Sequence, residues 1–215
     1  MKVKWLGHAS FLVTSSQGTR IITDPYATSD RLVYGNIAES AEIVTVSHEH
    51  GDHNNTAAVG GNPQVVRGPG AWNIGGVSVK GVAAYHDGKQ GQERGQNTVF
   101  TFTVDGVTCC HAGDLGHILS PEQVQALAGV DVLFVPVGGS FTVDAAVASQ
   151  VVQQLNPRVV IPMHVKNERC LFPIGEVEDF LKGKAQVRRV DGSEVELNAG
   201  QLPAATEIVV LKPAL

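Results

Sequence analysis

Cysteine is scarce in this chain, and the three present make no disulfide framework: Cys109 and Cys110 are adjacent while Cys170 stands alone, and neighbouring strand residues face opposite sides. Such usage fits a reducing, cytoplasmic compartment. Positive charge is also in short supply. Sixteen Lys and Arg against twenty-one Asp and Glu leave a formal net charge of −5, so nothing draws the chain to nucleic acid or to an anionic membrane. No apolar run approaches the ~20 residues of a membrane span. The N-terminal apolar stretch is broken by Gly7, His8 and Ser10 and reads as a strand rather than a signal peptide. The glycine-rich segment 87 to 97 is not followed by Gly-Lys-Ser/Thr, which excludes a phosphate-cradling loop of the P-loop kind. Repeats, linkers and low-complexity tails are absent.

What is present is apolar: 43% of the 215 residues are hydrophobic and only 17% are charged, enough for one well-packed domain over 1 to 215. Residues 2 to 6, 10 to 14 and 19 to 23 alternate like a meander of short strands, with a hairpin turn at Ser15-Ser16-Gln17-Gly18. Further strands are expected at 43 to 47, 65 to 66, 77 to 84, 98 to 104, 107 to 111, 130 to 137, 158 to 163, 186 to 190, 194 to 197 and 207 to 212. Helices are expected at 57 to 59, 121 to 127, 143 to 155 and 175 to 182, the third with an apolar stripe of Val147, Val151, Val152 and Leu155. Val44, Val46, Val132, Phe134, Val159 and Ile161 are expected in the core.

The densest chemistry follows the strand at 43 to 47, in Ser47-His48-Glu49-His50-Gly51-Asp52-His53. Nitrogen and oxygen donors packed this closely would be a costly turn of competing polar groups, and a metal explains them better. His48 and His50 share one side of an extended segment, while Asp52 and His53 reach a second position, so the spacing suggests two ions whose remaining ligands lie elsewhere. His8, between two strands, is a candidate ligand or substrate contact. Asp24 is a candidate partner for the second nitrogen of a ligand histidine, an arrangement such histidines commonly need.

These residues, with Trp5-Leu6-Gly7-His8-Ala9-Ser10-Phe11-Leu12, Thr23-Asp24-Pro25, His111-Ala112-Gly113-Asp114, Val135-Pro136-Val137-Gly138-Gly139 and Ile161-Pro162-Met163-His164, make the chain resemble the metallo-β-lactamase superfamily. The resemblance runs in the family's order from residue 3 to about residue 166 and is strongest to the small cytoplasmic branch that includes sugar-lactone hydrolases. It implies an α/β chain folded as a four-layer αβ/βα sandwich with metals at one edge of two sheets. It also implies His48, His50 and His86 on one ion, Asp52, His53 and His164 on the other, and Asp114 between them. Imidazole and carboxylate ligands suit zinc first, with manganese, nickel, iron or cobalt as alternatives.

The activity implied is metal-dependent hydrolysis, a metal-bound hydroxide attacking a phosphodiester or a lactone or ester of a small, anionic molecule. Asp52 would orient it, Asp114 would act as the carboxylate shared by the two ions, and water, His117 or Lys166 would protonate the leaving group. Arg94 or Lys89, in the glycine-rich loop, would meet an anion. His111, on a strand, reads as a packing or supporting residue. The competing reading is a non-hydrolytic metal-binding or redox protein that uses the same ligands.

Overall fold

Alternation of apolar side chains across short strands makes each strand two-faced, and two sheets stack to bury what results. The computed structural model describes residues 1–215. In chain order the strands are β1 (Lys2–Gly7), β2 (Ser10–Thr14), β3 (Arg20–Thr23), β4 (Ile43–Val46), β5 (Gln64–Arg67), β6 (Gly70–Ile74), β7 (Val77–Tyr85), β8 (Gln96–Val104) and β9 (Val107–His111). Then come α1 (Pro121–Ala126), β10 (Val132–Pro136), α2 (Ala145–Leu155), β11 (Val159–Met163), α3 (Val177–Leu181), β12 (Val187–Arg189), β13 (Glu194–Glu196) and β14 (Glu207–Val210). One sheet has six strands in the order β13-β1-β2-β3-β4-β5, and the other has eight in the order β12-β14-β11-β10-β9-β8-β7-β6.

Val3, Phe11, Val13, Ile21 and Ile43 of the first sheet join Phe100, Phe102 and Phe134 of the second in the main core, and the Phe11 and Phe134 rings lie 4.4 Å apart. Residues of opposite parity in the same strands, Leu6 after Trp5, Ile22 after Ile21 and Val44 after Ile43, enter a smaller core on the outer face with Tyr26, Leu32, Tyr34 and Ile37. The period of two therefore divides each strand between two cores. That outer layer is irregular chain and not helix, because residues 26 to 41 carry anchoring apolar groups without a helical period. The three α-helices serve the other sheet. α1, opened by a capping box of Ser120 and Gln123, packs on β7, while α2 packs on β10 and α3. All six expected core residues are buried. No helix is long and apolar enough to cross a membrane.

Two expectations are corrected. The helix expected at 57 to 59 is a single 3-10 turn, Thr56–Ala58, whose Asn55 cap makes no side-chain bond. The expected strands leave none between residues 66 and 77, yet Gly70 opens β6, an edge strand paired antiparallel with β7 from Gly70↔Gly81 to Ile74↔Val77. Its Gly-rich and half-exposed sequence carries little strand signal, and pairing with the long β7 supplies what the sequence does not.

This architecture collects the polar clusters at one edge. Asp24, the 47 to 53 segment, Asp114 and His164 follow the C-terminal ends of β3, β4, β9 and β11, His86 follows β7, and His8 occupies the β1–β2 turn. β3 pairs parallel with β4 and β9, β10 and β11 are mutually parallel, so their ends point the same way, as at the ligand edges of α/β sheets. His8, Asp24 and His164 all hold positive φ (50°, 37° and 53°), a region sparsely populated by side-chain-bearing residues and concentrated at functional sites.

Candidate metal centre

Two groups of side chains converge at this edge. His48, His50 and His86 form one, with ligand-capable atoms within 4.8 Å of one another, and His8, Asp52, His53 and His164 form the other. Asp114 stands between them. Its Oδ2 lies 3.3 Å from His86 Nε2, 3.4 Å from His164 Nε2 and 3.9 Å from His48 Nε2, and its Oδ1 lies 3.3 Å from His53 Nε2. Asp52 Oδ2 approaches His8 Nε2 at 3.3 Å and His53 Nε2 at 3.8 Å.

The rings are oriented from behind. Asp24, fully buried, accepts from Ser47 N at 2.8 Å and Ser47 Oγ at 2.5 Å and pairs with His53 Nδ1 at 2.9 Å. Ser47 Oγ also meets His48 Nδ1 at 2.9 Å. One buried carboxylate thus turns the Nε2 atoms of His53 and, through Ser47, of His48 towards Asp114. Asn97, to which the sequence drew no attention, accepts from Asp114 N at 3.1 Å and donates to Ala112 O at 2.9 Å, which holds the Asp114 loop. Gly116 permits the close approach of the His86 loop, since a Cβ there would stand 2.2 Å from Asp87 N.

Burial and neighbouring rings set the charges. Burial, reinforced by His164, pushes the His8 ring down to about 4, and burial with His53 pushes His48 down to about 3. His50 is lowered by burial and His86. All three are therefore neutral at pH 7, the form that binds a cation. Burial would raise the Asp114 carboxyl, but His164 and His53 hold it well below the usual range, and Asp52 is likewise held low against burial by His8 and His53. His53 is the exception: burial would lower it, yet Asp114 and Asp24 raise it well above the usual value. A proton held there is what a metal exchanges for itself on binding.

The donor set fits a metal by a direct observation. His48 Nε2, His53 Nε2 and Asp114 Oδ1 are buried without a hydrogen bond of normal geometry and face one another across the centre at 3.3–3.9 Å, too far apart to satisfy each other well. Cations satisfy nitrogen and carboxylate lone pairs together. Asp24 is different, being already occupied by hydrogen bonds. Exchanging its charge for an amide in Asp24→Asn is expected to weaken zinc binding about 10- to 100-fold, as read by competition with a chromogenic chelator.

Two sequence expectations place residues elsewhere. His117 is not free to donate a proton: its Nε2 accepts from Tyr85 N at 3.1 Å and its Nδ1 donates to Ile118 O at 2.7 Å, so the ring is a strut between two loops. Lys166 and Asn167 border a separate surface cavity, and Asn167 is committed to Tyr34 Oη at 2.7 Å. His111 supports the site, as expected, through Ala9 O at 2.8 Å and Gly113 N at 3.3 Å. Lys89 is paired with Glu93 at 2.6 Å.

Comparison with known proteins agrees with this geometry. The profile of the β-lactamase superfamily domain matches residues 2–164, and the chain belongs to that superfamily. Within it the chain is a metal-dependent hydrolase, similar to the UPF0173 metal-dependent hydrolases of Pelotomaculum thermopropionicum (31% identity, 92% of this chain and 96% of the relative) and Carboxydothermus hydrogenoformans (30%, 86% and 93%). Among solved structures it is similar to a Thermotoga maritima protein assigned to the zinc-dependent hydrolases of the metallo-β-lactamase superfamily, with 38% identity, a TM-score of 0.81 and 98% and 97% of the two chains covered.

Proposed function

We propose that the chain is a dinuclear hydrolase of a small phosphodiester or lactone, with His48, His50 and His86 holding one divalent ion, His8, Asp52, His53 and His164 the other, and Asp114 both. The observation that carries this reading is the convergence of the His48, His53, His86 and His164 Nε2 atoms on the two oxygens of Asp114 within 3.9 Å, with His50 on one side and His8 and Asp52 on the other. When bound, such ions supply Lewis-acid polarisation of a phosphoryl or acyl oxygen and a water acidified towards neutral pH.

The protein's own groups do the rest. Asp52, whose side chain is 26% exposed while that of Asp114 is 3% exposed, is the more open of the two carboxylates bordering the cavity and can orient the attacking water and take its proton. Asp24 and Ser47 hold the His53 and His48 rings so that no rotamer search accompanies turnover. Phe141 and Phe172 line the cavity and exclude water on that side. With His117 engaged in the scaffold, the leaving group takes its proton from solvent or from Asp52. Buried, unpaired Cys109, Cys110 and Cys170 suit a reducing cytoplasm.

The test is hydrolysis of bis(p-nitrophenyl) phosphate and of γ-butyrolactone by protein reconstituted with zinc or manganese. Turnover of the first chooses the phosphodiester branch and of the second the lactone branch. Turnover of neither by fully loaded protein contradicts the reading.

A further inference from the structure

The cavity over the metal centre, about 410 Å³ in volume, is bordered by His50, Asp52, His86, Asp114, His164, Phe141, Phe172 and a single cationic side chain, Arg94. No carboxylate lies within ion-pair distance of its guanidinium, and that guanidinium makes no hydrogen bond within the protein. The one other cation of its loop, Lys89, is neutralised by Glu93. Arg94 is nevertheless not loose. Its guanidinium carbon sits 4.7 Å from the centroid of the Phe141 ring, a stacking contact that fixes direction without occupying the N–H donors.

The backbone beneath it is pinned as well. Asp87 accepts four main-chain N–H groups, from Lys89 (2.7 Å) and Gly91 (2.9 Å) on Oδ1 and from Glu93 (3.0 Å) and Arg94 (2.8 Å) on Oδ2. His86 N donates to Gly95 O at 3.0 Å, which closes the loop on the ligand histidine. Arg94 is thereby tied to His86 through a short, fully bonded turn. It also borders a second cavity of about 440 Å³ that shares His50 with the first, so it stands at the junction of the two.

Resting on the proposed hydrolase function, we infer that Arg94 is a specificity-determining residue, and that the substrate carries a carboxylate or phosphate group outside the scissile bond, bound by the Arg94 fork beside Phe141. A guanidinium held planar and left without an internal partner matches such oxyanions bidentately. The adjoining Phe172 offers an apolar wall to the carbon skeleton of the same molecule.

The experiment compares wild type, Arg94→Gln and Arg94→Lys, each loaded with metal, on γ-butyrolactone, on the lactone bearing a ring carboxylate, and on a lactone bearing a phosphate monoester. The inference predicts that Arg94→Gln lowers the ratio of kcat/KM for an anionic over the neutral lactone about 10- to 100-fold, mainly through KM, with Arg94→Lys between the two. The larger of the two drops identifies carboxylate or phosphate. An unchanged ratio in a protein that still turns over the neutral lactone overturns the inference and leaves the hydrolase reading standing. Titration with phenylphosphonate covers the opposite case. If bis(p-nitrophenyl) phosphate is turned over but no lactone is, this titration alone decides the anion site; if nothing is turned over but Arg94→Gln still binds the anion about tenfold more weakly, the hydrolase reading falls and the anion site stands, and equal binding then overturns both.

Discussion

Asp114→Ala is expected to abolish most activity, with turnover falling about 10²- to 10³-fold or more, as when a preorganised charge is removed from a catalytic centre. Its carboxylate is the one group within 3.9 Å of histidines from both ligand groups, so its loss separates them as well as discharging the centre. Metal content should fall with activity. Asp114→Asn keeps the shape and the Asn97 contact, which is made through the main chain, and should show the same loss of metal and turnover with less loss of stability. Equal metal content and turnover in folded Asp114→Ala would remove Asp114 from the centre.

Phe134→Ala acts on the other half of the account, the stacking of two sheets. Phe134 is wholly buried, with the Phe11 ring at 4.4 Å and the His111 ring at 6.1 Å. Emptying that volume should cost about 3–5 kcal/mol, which for a chain of this size lowers the melting temperature by roughly 6–20 °C. Phe134→Leu, which refills most of the space, should cost less than about 1.5 kcal/mol. Thermal unfolding of the two variants reads both values. A melting temperature unchanged in Phe134→Ala would mean that the sheets are not held together at this contact.

The candidate metal centre was legible where its chemistry was local. Three histidines and an aspartate within six residues after a β-branched strand announce a ligand segment without any structure, and Asp24 after β3 was readable as a carboxylate for a histidine ring because such rings need one. Distant partners were a different matter: His86, Asp114 and His164 each follow a strand, yet only the family resemblance singles them out, since no local pattern says which strand ends meet. His117 misled because a polar residue beside a cluster looks available, whereas two main-chain hydrogen bonds formed only on folding consume its ring. Asn97 and Asp87 gave no local signal, their roles being contacts with backbone far from, or looping back on, their own position. For the fold, alternation located the strands to within a residue or two, while β6 and the irregular outer layer over the six-stranded sheet depend on tertiary pairing and packing.

The most direct test of the central claim is metal content per chain, by elemental mass spectrometry, on protein purified without chelator and after reconstitution with zinc, manganese or nickel. The account predicts close to two ions per chain in wild type and one or fewer in Asp114→Ala. A wild-type protein that takes up one ion or none under every reconstitution would contradict the dinuclear centre.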